Sequence, residues 1–307
     1  MTLTHVTRAP RTAALLALLT ATAAIAGCGS QNTPNSQTAA TRTMAEHPKM
    51  GSDPSVSSHT SGMHMSDADG GLAAAESGYR LDLKTTTATT AATSPIRFAI
   101  IAPDGKPQTD YATDQTKKLH FYVVRRDLTA YQHIHPVLAP DGTWSIPVQF
   151  TAAGPYRVYA DFVANDAKGT QHPLVLSQRL NVHGAAYHPA MLPAPTNTTT
   201  IDGYTVTLTG IPKASRETPL TVRVTRAAKP VRDLQPYLDT FAHMTALNAK
   251  TLAYRHLHPQ TPPRSAGHTG PDLRFAAQLP TPGTYKLFLQ FKDRGRLHLA
   301  QFVVTVT

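Results

Sequence analysis

The sequence predicts an all-β protein made of two similar halves, and three observations carry the prediction. The first is an internal repeat: His120, His133 and His135 recur as His243, His256 and His258, each at an offset of 123 residues, and Tyr131/Tyr254, Pro136/Pro259 and Asp110/Asp233 share that offset. A fixed spacing of this kind marks a duplicated unit. The second is composition, with only 16% of residues charged and 7% aromatic against 25 prolines, which suits short strands and punctuated loops better than long helices. The third is a series of short apolar runs between turn signals in each half, the size and rhythm of an immunoglobulin-like β-sandwich. At 307 residues, the chain has room for about two domains.

Residues 1–27 read as an export signal. Arg8 and Arg11 supply the positive region, and Ala13 to Ala26 is apolar but too short to span a bilayer as a stable helix. Ile25-Ala26-Gly27-Cys28 resembles the bacterial lipobox, which implies cleavage before Cys28 and lipid on its thiol. Two consecutive arginines are absent, so general secretion is expected rather than the twin-arginine route. The resulting protein would be lipid-anchored to the outer face of the cell membrane or to the periplasmic membrane surface. Cys28 is the one cysteine, so no disulfide can form within the chain and the domains must fold on their cores. The formal charge of +10 becomes +8 once Arg8 and Arg11 leave, and export argues against nucleic acid as a partner. The basic excess reads as a solvated surface.

Residues 28–75 form a tether of Ser, Thr, Gly, Pro, Asp and Ala without hydrophobic period, expected to be disordered. It carries Met44, His47, Met50, His59 and the run Met63-His64-Met65. Thioether and imidazole together are donors that soft copper prefers, whereas zinc has little use for Met. An incidental scatter of Met and His is the alternative.

The first sandwich is placed at 76–183, with strands at Tyr79 to Leu83, Ile96 to Ile101, Leu119 to Val124, Tyr131 to His135, Trp144 to Phe150, Tyr156 to Phe162 and Leu174 to Val182. Pro103-Asp104-Gly105, Pro140-Asp141-Gly142 and Gly154-Pro155 are turn signals between them. Pro147 implies an edge or a bulge in the fifth run. Residues 184–202, with Pro189, Pro193, Pro195 and a threonine run, read as a semi-rigid connector. The second sandwich is placed at 203–307, with strands at Tyr204 to Leu208, Leu220 to Thr225, Phe241 to Leu247, Leu252 to His258, Leu273 to Leu279, Tyr285 to Phe291 and Leu297 to Val306. After a longer loop at Pro262 to Pro271 the copies re-align, so that Gly154-Pro155-Tyr156 answers Gly283-Thr284-Tyr285 as turn-to-strand architecture.

Strand geometry makes the repeated histidines candidates for chemistry, because residues two apart in a strand share a face. His133 and His135 therefore point the same way. A hairpin around Arg126-Asp127 sets His120 opposite His133, and a four-residue loop sets it opposite His135 instead. Either register gathers three imidazoles on one face, and the second copy repeats this around Ala249-Lys250. Neutral imidazole suits copper, zinc, iron or nickel, with affinity among divalent ions peaking at Cu²⁺. Hydrogen-bonded structural histidines are the alternative. His172, His183, His188, His268 and His298 fall outside the repeat and read as surface or loop residues.

The runs Val124 to Pro136 and Asp233 to Leu238, the latter followed by His256-Leu257-His258-Pro259, resemble a family of exported actinobacterial-type proteins with tandem sandwich domains. That family is loosely similar to the YtkA-like group of copper-associated periplasmic sandwiches. The resemblance covers both domains but neither signal nor tether, and it implies copper handling.

The expected function is thus a non-enzymatic, membrane-anchored, extracytoplasmic metal-binding lipoprotein. Copper is the first choice and zinc the second, held by His120, His133 and His135 in one domain and His243, His256 and His258 in the other. The two sites should fill independently across the connector, with affinity falling below about pH 6.5, where free imidazole protonates. An interaction or adhesion module with structural histidines is the alternative class. A zinc hydrolase ranks last, because no carboxylate recurs in the motif to serve as general base.

Overall fold

The computed structural model describes residues 70–260 and 270–307, and every regular element in that range is a strand. The signal 1–27, Cys28 and the tether residues Met44, His47, Met50, Met63, His64 and Met65 lie outside the described residues. The first half contains β1 (Ala75–Glu76), β2 (Tyr79–Leu83), β3 (Thr87–Thr89), β4 (Ser94–Ile101), β5 (Tyr111–Ala112), β6 (Leu119–Arg125), β7 (Tyr131–Ile134), β8 (Val137–Leu138), β9 (Thr143–Val148), β10 (Gly154–Asn165) and β11 (Gln171–His183). One of its sheets has the order β1-β2-β4-β9-β8 and the other β3-β11-β10-β6-β7, with β5 added on β10. Pro147 lies on β9 beyond the reach of β8, whose last pair is Val137 with Ser145, so one side of the strand is an edge where proline stands.

The second half contains β12 (Thr198–Ile201), β13 (Tyr204–Thr209), β14 (Glu217–Arg226), β15 (Lys229–Pro230), β16 (Ala242–Asn248), β17 (Tyr254–Pro259), β18 (Asp272–Gln278), β19 (Gly283–Asp293) and β20 (Arg296–Val306). Their order is β12-β13-β14-β18-β17-β16-β19-β20, with β15 on β14. β17 turns the corner between two layers, pairing with β16 through Tyr254 to Leu257 and with β18 through His258 and Pro259. In the first half the matching chain breaks at His135-Pro136 into β7 and β8, which pair with different sheets. The architecture is two tandem β-sandwiches.

Two segments placed outside the sandwiches by sequence are built into them. The threonine run of the expected connector forms β12, paired with β13 from Thr198↔Thr207 to Ile201↔Tyr204, because β-branched residues suit a half-exposed strand. The end of the expected tether is also fixed: Tyr254 N–H donates to Gly70 O at 2.8 Å, Ser177 N–H to Ala73 O at 2.8 Å and Arg157 Nη1 to Leu72 O at 3.0 Å. Gly70 has φ +66°, and a Cβ there would come within 2.5 Å of Ala253 Cβ, so only glycine passes.

The repeated Gly-x-Tyr runs serve both folds in one way. Tyr156 O–H donates to Ala152 O at 2.8 Å and Tyr285 O–H to Thr281 O at 3.1 Å, each reaching back four residues to pin the corner before a long strand.

Where the cores lie decides where the histidines go. Leu119, Phe121 and Val123 of β6 enter the first core, in which Phe121 stacks on Phe98 at 4.7 Å. The opposite face of the strand does not meet water. Tyr122 and Val124 join a third apolar cluster with Tyr159, Leu247, Leu252, Tyr254 and Phe288, drawn from both halves. β16 behaves alike, with Ala242, Met244 and Ala246 in its own core and Leu247 in the shared one. The sandwiches thus pack sheet to sheet, and both copies of the histidine strand line the contact.

Candidate metal centre

The hairpins settle the register. Phe121 pairs with Ile134 and Tyr122 with His133, so His120 faces position 135 across a four-residue loop closed by Arg125 N–H to Ala130 O at 2.9 Å. The second copy matches, with Met244 opposite Leu257 and Thr245 opposite His256.

In the first copy the imidazoles converge, and one nitrogen from each of His120, His133 and His135 lies within 4.8 Å of the others. His120 Nδ1 is 3.0 Å from His133 Nε2 and 3.2 Å from His135 Nε2. The outer nitrogens fix the tautomers. His120 Nε2 is 3.2 Å from the carbonyl of Asp114, which can only accept, so the proton sits on Nε2 and Nδ1 carries a lone pair. His133 Nδ1 is 2.7 Å from Gln290 Oε1, which by the same reasoning leaves the lone pair on Nε2. Two lone pairs thus face each other across 3.0 Å, a repulsive arrangement until a cation lies between them.

The surroundings disfavour a proton in that role. His120 and His133 are 2% and 7% exposed. Burial, then the neighbouring His120 and His135, holds His133 well below the ordinary imidazole pKa. Burial, then His120 and Lys117, pushes His135 down to about 3. In His120 and His133, inward-facing nitrogens whose outer N–H groups are held by oxygen acceptors are what a transition-metal site requires, and His135 Nε2 stands beside them, so the residues fit a metal ion. His135 is the more exposed member and gives the cluster its way in.

The Asp114 carbonyl is held by a tight turn. Asp114 and Lys117 exchange two backbone bonds of 2.9 Å around Gln115 and Thr116, whose φ values are 44° and 69°. Tyr237 and Thr240 bracket an equivalent turn through Leu238 and Asp239, at φ 54° and 57°. Such turns favour Asn and Gly, which both copies lack, so backbone strain is held beside the histidines.

The second copy is arranged differently. His243 and His256 stack at 4.5 Å with planes 22° apart, and His256 and His258 at 5.7 Å with planes 20° apart. Near-parallel rings keep their lone pairs in near-parallel planes, and the nitrogens of these three do not gather within 4.8 Å of one another as those of the first copy do. His256 Nε2 lies 3.4 Å from Gln115 Nε2, and its Nδ1 is 3.8 Å from Asp161 Oδ2, to which Tyr254 O–H donates at 2.8 Å. Nor are the copies remote from each other: the ring of His243 is 5.6 Å from His120 and 5.0 Å from His133. The expectation of two separated sites gives way to one cluster at the sandwich contact, because the apolar faces of β6 and β16 bury each other.

Sequence reading missed Asp161, Gln290 and the two turns. Asp161 and Gln290 each stand seven residues after the aligned Gly154 and Gly283, a polar residue inside an apolar run, and that was the available signal. Outside the cluster, His183 and His188 are exposed and His172 pairs with Asp166 at 3.1 Å. His298 departs from its expected surface position: it is 4% exposed, stacks on Phe291 at 5.1 Å and meets Asp202 at 2.7 Å. His268 lies outside the described residues.

These features define a tandem β-sandwich protein with a histidine cluster buried between its halves. The chain belongs to the family described as a domain of unknown function (DUF8832), which matches it twice, over residues 73–177 and 199–307, one sandwich each. No curated protein matches it. Solved structures similar to it include the Escherichia coli adhesin FdeC, at 13% identity over 75% of this chain and 64% of that one, with a TM-score of 0.25. A Corynebacterium diphtheriae protein described as membrane anchored has 12% identity over 75% of this chain and 57% of its own, with a TM-score of 0.21. The chicken CNTN1 FN1-FN3 domains have 11% identity over 74% and 65%, also with a TM-score of 0.21. The chain spans less than two thirds of each of these, and the likenesses concern the fold alone.

Proposed function

We propose that this protein is a non-enzymatic, extracytoplasmic metal-binding module that holds copper through His120, His133 and His135. The observation that carries the reading is the 3.0 Å approach of two lone-pair nitrogens, His120 Nδ1 and His133 Nε2, with both tautomers fixed from behind. An all-imidazole set binds Cu²⁺ ahead of Zn²⁺ on intrinsic affinity, and the Met and His residues of the tether and the resemblance to YtkA-like sandwiches point to the same metal. A bound ion would replace lone-pair repulsion by attraction. Anchoring through lipid on Cys28 belongs to the same proposal and would keep the module at a membrane surface.

A second reading has its own support. His133 bonds across the contact to Gln290 and Tyr131 O–H lies 2.6 Å from Thr245 Oγ1, so the polar groups also serve domain packing, as in an interaction or adhesion module with structural histidines. Metal analysis and calorimetric titration with Cu²⁺ and Zn²⁺, on protein purified without chelator or polyhistidine tag, separate the readings. One tightly bound copper per chain, lost in His133→Ala, is expected. A melting temperature unmoved by either metal would leave the interaction module.

A further inference from the structure

Two histidine nitrogens of the second sandwich are buried without a hydrogen-bond partner, His298 Nε2 beside Phe291 and His243 Nε2 beside the triad of the other sandwich. His243 is 2% exposed, and its Nε2 is buried without a hydrogen-bond partner. A buried polar atom left in that state has lost its water without a hydrogen bond in return. It stands beside the converging triad of the other sandwich. Its ring lies 5.0 Å from His133 and 5.6 Å from His120, while the rings within the triad are 5.2, 5.0 and 4.8 Å apart.

We propose that His243 is the fourth ligand of the His120–His133–His135 centre, so that the metal ties the two sandwiches together. This rests on the metal-binding reading above and adds to it where the site lies: in the contact, with protein ligands from both halves. His243 stands outside the group of nitrogens within 4.8 Å of one another, but its ring is as near to His133 as the triad rings are to each other and only slightly farther from His120. The bridge therefore requires the His243 ring to turn so that its unpartnered nitrogen is aimed at His133 and His120. His256 is not an equal candidate, since its nitrogens face Gln115 and Asp161.

The geometry also accounts for the unequal fate of the two copies. Among the described residues the contact holds one converging group of histidine nitrogens. The first copy converges on that centre, and the second contributes its innermost histidine together with Gln290, which orients His133. Four neutral imidazoles complete a closed coordination sphere, as suits a structural or storage site better than a catalytic one with an open position.

The test uses the full-length chain in detergent, without a polyhistidine tag, and Cu²⁺ as the probe. Competition titration gives affinity and stoichiometry, and electron paramagnetic resonance counts coupled imidazole nitrogens. One ion per chain with four nitrogens is expected, and His243→Ala should reduce the nitrogens to three and weaken binding at least about 100-fold, more than loss of an outer-shell partner. His243→Gln, which keeps a polar group in the contact, should behave likewise if the alanine variant folds poorly. His172→Ala should match the parent. Parent-like affinity and nitrogen count in either His243 variant, with binding still lost in His133→Ala, would overturn the fourth ligand and leave the triad site standing. Two ions per chain, one of them lost in His258→Ala, would overturn it as well. Absence of copper binding in the parent would remove both the centre and the bridge.

Discussion

Asp161 and Gln290 occupy matching positions on β10 and β19, and each reaches across the sandwich contact to a histidine of the other half. Gln290 Oε1 is 2.7 Å from His133 Nδ1, and Asp161 Oδ2 is 3.8 Å from His256 Nδ1. The reciprocity follows from duplicated sheets packed face to face. Gln290→Leu removes the acceptor that keeps the His133 proton on Nδ1, freeing the ring to place it on Nε2. Copper affinity should fall by about 10- to 100-fold, the usual effect of removing an outer-shell partner. Titration of the folded variant measures it.

The two interface tyrosines should differ in cost. Tyr254 O–H donates to the buried carboxyl group of Asp161 at 2.8 Å, whereas Tyr131 O–H meets the neutral hydroxyl of Thr245 at 2.6 Å. Tyr254→Phe leaves a buried acceptor with less support and should cost about 1.5–3 kcal/mol, and Tyr131→Phe about 0.5–1.5 kcal/mol. Urea unfolding of both variants gives the ranking. Equal losses would mean that Asp161 finds another donor.

Anchoring is tested separately from the fold. Cys28→Ser should move the protein from the membrane to the soluble fraction while its circular dichroism stays that of a β protein, because the described strands begin at Ala75. Retention in the membrane fraction would count against lipid on Cys28.

Much of this architecture was legible because the strands announce themselves twice. A run such as Tyr204 to Leu208, with Tyr204, Val206 and Leu208 buried between less buried threonines, has the alternation of a half-exposed strand. β6 and β16 do not: Leu119 to Val124 and Ala242 to Asn248 are buried at every position, one face in a sandwich core and the other in the contact. Their side-chain pattern therefore gave no sign of which face was outward, and the meeting of His243 with His133 could not be read from it. Copy number misled for a related reason. Identical spacing suggested identical sites, yet ring orientation depends on what the outer nitrogens find, and those partners differ between Asp114, Gln290 and Asp161. The tight turns were hidden because Gln115-Thr116 and Leu238-Asp239 lack the Asn-Gly pair that normally marks φ above zero.

Acid should begin to weaken the metal-free fold as pH falls below the ordinary imidazole value of about 6.5. His133, His135 and His243 all have pKa values below the ordinary 6.5, in each case first through burial and then through neighbouring histidines, with His135 at about 3. Between that value and 6.5 the unfolded chain binds protons that the folded chain refuses, so stability rises with pH through this window. It is complete above about 6.5 and is lost as pH falls toward 3. Asp166 acts in a lower range: His172 and the backbone N–H groups of Thr170 and Lys168 hold it at about 2, so its contribution is lost only below the ordinary carboxylate value of about 3.9. Urea midpoints measured without metal at pH 7.5, 6, 5 and 4 should decline steadily, and His135→Gln should flatten the decline. The same depression alters the expectation for copper. Imidazoles that stay neutral in the folded state need not lose protons to bind at pH 5, so affinity should fall less steeply below 6.5 than it does for free histidine. A copper affinity that tracks ordinary imidazole titration would show that the cluster is open to water.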